Sequence, residues 1–102
     1  MAIVMAKTHF EFPTVTGSAE RLINTINFGR TVQNVAVLLQ GFNVKYNNGD
    51  HHVKQESIQL TIGGNNGGIV NVVADFLLRD GSGNVDDPYS GSIDAVVIAD
   101  VV

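Results

Sequence analysis

Three stretches of this chain carry side chains that could do chemistry. Asp50-His51-His52 sets a carboxylate beside two imidazoles, and the segment from Asp80 through Asn84, Asp86 and Asp87 to Tyr89 gathers carboxylates, an amide and a phenol. The third is the glycine-rich run Gly63-Gly64-Asn65-Asn66-Gly67-Gly68. Metal binding is the first chemistry to weigh. Adjacent residues of a strand point to opposite faces, so His51 and His52 do not converge easily on one ion. His9 could supply a third ligand, but nothing in the sequence places it near them. Asp80-Gly81-Ser82-Gly83-Asn84 opens like a calcium loop, with oxygens at alternate positions. That pattern next requires Gly at the sixth position and Glu at the twelfth, where this chain has Val85 and Gly91. The glycine-rich run lacks the Asp of a calcium-binding glycine repeat and the Gly-Lys-Ser/Thr ending of a phosphate loop. No nucleophile elbow or Ser-His-Asp pattern occurs. Neither a metal, a cofactor nor catalysis is expected.

What remains is hydrogen bonding. Asp50, His51 and His52 form one polar set, and Asp86, Asp87 and Tyr89 another. Such sets suit neutral sugars: carboxylates and imidazoles exchange hydrogen bonds with hydroxyls, while an aromatic ring covers the apolar face of the sugar ring. Loops are also polar in most proteins for no reason beyond solvation.

The elements that must hold these loops read as strands. Gln33–Tyr46 is the longest β-favouring run. Val35, Val37 and Leu39 share one phase, and after Gln40-Gly41 the apolar phase passes to Phe42, Val44 and Tyr46. A one-residue change of phase turns the hydrophobic set to the other face, so a bulge at Gly41 is expected in a long, bent central strand. Ile3–Phe12 predicts a first strand ended by Pro13, and Leu22–Phe28 a second. Ser18-Ala19-Glu20-Arg21 could open a short helical turn, but no helical periodicity follows it. Asn47-Asn48-Gly49-Asp50 carries the strongest short-range hairpin signal. His52–Ile62, Ile69–Arg79 and Ser92–Val102 alternate as three further strands, separated by exposed loops at Gly63–Gly68 and Asp80–Gly91. The expected fold is all-β, a six-stranded antiparallel β-sandwich forming a single domain over residues 1–102. Val73 and Leu77, and Val96 and Ile98, lie in the phase opposite the core set. Strands apolar on both faces are normally covered on both, so these four are read as one apolar stripe at an oligomer interface; a covering loop is the plainer alternative.

Composition bounds the partners. The net charge is -4, with six Lys and Arg scattered along 102 residues, which argues against nucleic acid or an anionic membrane. No apolar run approaches the roughly eighteen residues of a spanning helix, and MAIVMAK lacks the charged and apolar regions of a secretory signal. A soluble chain, cytoplasmic or exported without such a signal, is expected, and the compartment stays open. Zero cysteines exclude disulfides and thiol chemistry and remove the usual redox clue.

The order of features resembles the H-type lectin domain, found in snail agglutinins and in the C-terminal part of slime-mould discoidins. The matching pieces are Ile26-Asn27-Phe28, VQNVAVLLQGFNV, DHHVKQESIQL, VVADFLLRD and GSIDAVVIADV, spanning roughly residues 24–101. The resemblance implies a six-stranded antiparallel sandwich that trimerises, with carbohydrate sites near subunit boundaries. It implies a basic residue where His52 stands and a tyrosine where Tyr89 stands. The family's Trp-His pair has no counterpart, because that region reads Arg79-Asp80-Gly81 and the chain has no Trp. A carbohydrate-binding homo-oligomer is the leading expectation. The alternative is a structural β-sandwich subunit of a phage or secreted particle, suggested by the low charge and the Gly and Val content.

Overall fold

The computed structural model describes residues 2–16, 19–47, 53–80 and 88–102, without the side chains of 53–55, 79 and 80. The described residues form six strands: β1 (Ala2–Val15), β2 (Glu20–Asn27), β3 (Val32–Tyr46), β4 (Val53–Asn66), β5 (Ile69–Asp80) and β6 (Tyr89–Val101). They build two three-stranded antiparallel sheets, β1-β6-β3 and β2-β5-β4. The all-β sandwich expected from the alternating pattern is the observed fold.

The core lies between β6 and β5. Ile93, Ala95, Val97, Ala99 and Val101 of β6 face Val70, Val72, Ala74, Phe76 and Leu78 of β5, all buried. Burial of a Val, Ile or Phe side chain stabilises by about 1.5–3 kcal/mol. Period-two alternation puts these residues on one face of each strand. The outer strands contribute half-buried residues: Ala2 and Val4 from β1, Leu22 and Ile26 from β2, Val35 and Val37 from β3, Ile58 and Leu60 from β4. Phe12 stacks on Phe76 with ring centroids 4.6 Å apart, closing one end of the core. Gly91 is required here: a Cβ on it would overlap the Asn43 carbonyl oxygen and lie 2.9 Å from Phe76 Cζ.

Several expectations from the sequence need correction. β3 is not the central strand; it pairs only with β6 and is an edge of its sheet. Its bulge is present, as a register shift between Leu39 and Gly41. β3 and β4 do not form a hairpin, because they lie in opposite sheets, so 47–52 is a crossover. The hairpin is β4–β5, where Asn66 pairs with Ile69 around Gly67-Gly68. Gly67 has a φ of 62°, the positive first position that primed hairpin turns demand. Gly63 and Gly64 therefore belong to β4 and not to a loop. A Cβ on Gly63 would come 2.9 Å from Val73 Cγ2, so glycine lets that edge approach β5 closely. β1 runs through Pro13 to Val15. It is an edge strand, and its register shifts between Phe12 and Val15, which is where a proline fits.

The interface expectation also changes. Val96 and Ile98 lie on the outer face of β1-β6-β3, whereas Val73 and Leu77 lie on the outer face of β2-β5-β4. Both pairs are half-buried, but the four sit on opposite sides of the sandwich and make no single stripe.

Candidate functional site

The topology brings the polar connections together. β1 and β3 end where β6 begins: Val15 and Tyr46 both pair with Tyr89. In the other sheet β5 ends at Asp80 opposite Val53, the start of β4, and β2 begins opposite Phe76. Connections 16–19, 47–52 and 81–88 therefore all leave the same end of the sandwich. The backbone N–H of Asn47 donates to the Pro88 carbonyl at 2.9 Å, tying the flank of one polar loop to the flank of another. The opposite end carries the β2–β3 connection and the β4–β5 turn. These are joined by Phe28 N–H donating to Gly68 O at 2.8 Å and Val32 N–H donating to Gly67 O at 2.9 Å.

Of the residues the sequence singles out, Asp50, His51, His52, Asp86 and Asp87 lie outside the described residues. Tyr89 is described, and the ligand-stacking role expected of it is corrected. It is fully buried, 5.5 Å from Phe76 between ring centroids, with its hydroxyl donating to the Phe76 carbonyl across a long 3.5 Å. The first residue of β6 points into the core, so the ring has no face to offer a ligand. Burial, with Glu20 and Tyr46 nearby, pushes the phenol up to about 12.

Glu20 is a residue that sequence reasoning missed. It shares the inward phase of Leu22, Asn24 and Ile26 in β2, a signal lost when the second strand is read as starting at Leu22. One of its carboxyl oxygens, Oε2, is closed off from solvent without a hydrogen-bond partner among the described residues. Burial raises its pKa, since a carboxylate loses hydration there. Glu20, Tyr89 and Tyr46 thus form a titratable cluster beneath the loop end. Asn24, also inward, is satisfied: its side-chain amide donates to Thr8 Oγ1 at 2.8 Å and to the His9 carbonyl at 2.9 Å, pinning β2 to β1.

His9 has two carboxylate partners of its own. It stands on the outer face of β1, where Nδ1 donates to Asp94 Oδ1 at 2.6 Å and Nε2 to Glu11 Oε2 at 2.8 Å. Both ring nitrogens face carboxylate acceptors, which favours the imidazolium and raises the pKa, the Asp94 bond more than the Glu11 bond. On the other sheet Arg21 Nε donates to Asp75 Oδ1 at 2.7 Å. Among the described residues no group of His, Asp and Glu has the geometry to hold a metal ion. No described helix is long and apolar enough to cross a membrane.

The outer face of β1-β6-β3 exposes several apolar side chains. Met5, Ile98 and Ala36 form one row across it, with Lys7, Val96 and Leu38 on one side and Ile3, Asp100 and Asn34 on the other. Ile3 is 67% exposed, Met5 70% and Leu38 54%. A shallow groove of about 210 Å³ runs between Ile3, Asn34, Ala36, Ile98 and Asp100.

No family model, curated protein or solved structure matches this chain.

Proposed function

We propose that this chain is a non-enzymatic carbohydrate-binding module of the H-type lectin kind, acting as a small symmetric oligomer, with its sugar contacts made by loops 47–52 and 81–88. The observation that supports this reading is the Asn47–Pro88 hydrogen bond. It draws together the flanks of the two polar sets, Asp50-His51-His52 and Asp86-Asp87, at one end of a rigid sandwich. Sites on loops held by a fixed scaffold are the usual arrangement for binding. Carboxylates and imidazoles supply the hydrogen bonds that sugar hydroxyls need. Tyr89 contributes by anchoring the start of β6, and not through a ring face.

The test is retention on galactose-agarose together with a glycan array. Retention is expected, and it should be lost in His52→Ala and Asp86→Ala with the far-UV circular dichroism spectrum unchanged. Failure of the wild-type chain to bind any sugar at high protein concentration would overturn the reading. A second reading, a structural subunit of a larger particle, is favoured by the exposed apolar side chains Ile3, Met5 and Leu38. Large assemblies with no sugar retention would select it.

A further inference from the structure

The outer face of β1-β6-β3 presents an apolar centre flanked by opposite charges. The Met5–Ile98–Ala36 row lies between the Lys7–Val96–Leu38 row and the Ile3–Asp100–Asn34 row. Each flanking row is two residues away along the strands, about 7 Å. Asp100 sits on the wall of the groove beside Ile3, Ala36 and Ile98 and is half-buried, so part of its carboxylate stays within reach of a cation on an approaching surface. A carboxylate set among apolar side chains favours such a cation when a second surface removes its water. Lys7 is an exposed cation on the same face.

We propose that this face binds a second copy of the chain about a two-fold axis along the Met5–Ile98–Ala36 row, with Lys7 of each copy answering Asp100 of the other. Such an axis exchanges the two flanking rows. It lays Met5 on Met5 and Ile98 on Ile98, and brings each Lys7 over the partner's Ile3–Asp100 row. Strands in a sheet lie about 4.8 Å apart and packed sheets about 10 Å apart, within reach of a lysine on the neighbouring strand. The contact is isologous, closes on itself and makes the charge pair twice. The axis lies three to four residues from the end of the sheet at Ala2, Val101 and Val32, so the two copies overlap over roughly 25 Å of strand, a small contact of the size that weak, concentration-dependent dimers use. A three-fold ring with its axis along the strands would keep equivalent rows level. It would set Lys7 beside Val96 and Leu38 and leave Asp100 unanswered.

The proposal rests on the oligomeric half of the proposed function and not on its sugar half, so the sugar test stands or falls separately. Sedimentation equilibrium over a concentration series is the experiment. The wild type should show twice the 10.9 kDa chain mass. Lys7→Glu and Asp100→Lys should each raise the dissociation constant about tenfold or more, and the combined K7E/D100K chain should recover most of the loss, as residues in direct contact do in a double-mutant cycle. Lys7→Ala, at a surface position that cannot disturb the core, should weaken association in the same direction, with circular dichroism confirming the fold. A monomer at every concentration, a three-chain mass, or a double variant no better than either single would overturn the proposal.

Discussion

Two glycines on neighbouring strands of one sheet show how differently the same residue can be used. At Gly91 a methyl group would overlap the Asn43 carbonyl oxygen and come 3.0 Å from Val44 Cα, all within a sheet that cannot widen locally. Gly91→Ala should therefore destabilise the fold by about 1–3 kcal/mol or more, the usual cost of overpacking, read as a lower urea midpoint. Gly41, at the bulge of β3, has nothing within 4 Å of its Cβ position and no positive φ. Gly41→Ala should be neutral or stabilising by up to about 1 kcal/mol; a large loss there would mean the bulge needs glycine after all. The titratable cluster gives a second test. Tyr89 has an ordinary value of 10.0 and a folded value of about 12, so the folded state holds the phenolic proton more tightly. The stability this carries is whole below pH 10 and is lost as the pH rises toward 12. Tyr89→Phe should lack that alkaline loss when the two chains are melted side by side. Glu20 is likewise raised, from 4.5, by burial. Its contribution is fully present below pH 4.5 and falls away as the pH climbs through the raised value. Glu20→Gln should then melt higher than the wild type at neutral pH, with the difference closing in acid; equal melting at both pH values would show the carboxyl to be hydrated.

At the scale of elements, what could be read from the sequence was the strands and their inward faces. Period-two alternation states which face a residue takes, and Ile93, Ala95, Val97 and Ala99 are buried as their phase requires. The pattern says nothing about which strand lies alongside. That is why β3, the longest β-favouring run, looks central and is an edge, and why Asn47-Asn48-Gly49 resembles a hairpin turn although β3 and β4 lie in opposite sheets. Six strands can be ordered in many ways with the same inward faces, and only the packed core selects among them. The candidate site was legible in part. The two polar loops stand out by composition, but their common end follows from topology. Tyr89 looks like a loop aromatic because Asp86-Asp87-Pro88 precedes it, and only the pairing of Val15 and Tyr46 with it reveals a core position. The true hairpin turn depends on Gly67, with its φ of 62°. Gly67→Val should cost about 1–2 kcal/mol from the left-handed backbone alone, measured by chemical denaturation, and more than the same change at Gly64, which has open space and no positive φ.

For the molecule as a whole, the pairing of Ala2 with Val101 has a kinetic consequence. Sheet β1-β6-β3 has no two neighbours that are adjacent in sequence, so β1 and β3 stay unpaired until β6 is available to sit between them. Only β4 and β5 can pair locally, across a two-residue turn. Contacts this distant along a chain are closed at a high entropic cost, and such β topologies refold in milliseconds to seconds where helical bundles take microseconds to milliseconds. A growing chain would therefore carry β1 and β3 as bare apolar strands until β6 has been made. The β4–β5 hairpin is the natural nucleus, so Gly67→Val should slow refolding, whereas a core truncation in β1 such as Val4→Ala should act mainly by speeding unfolding.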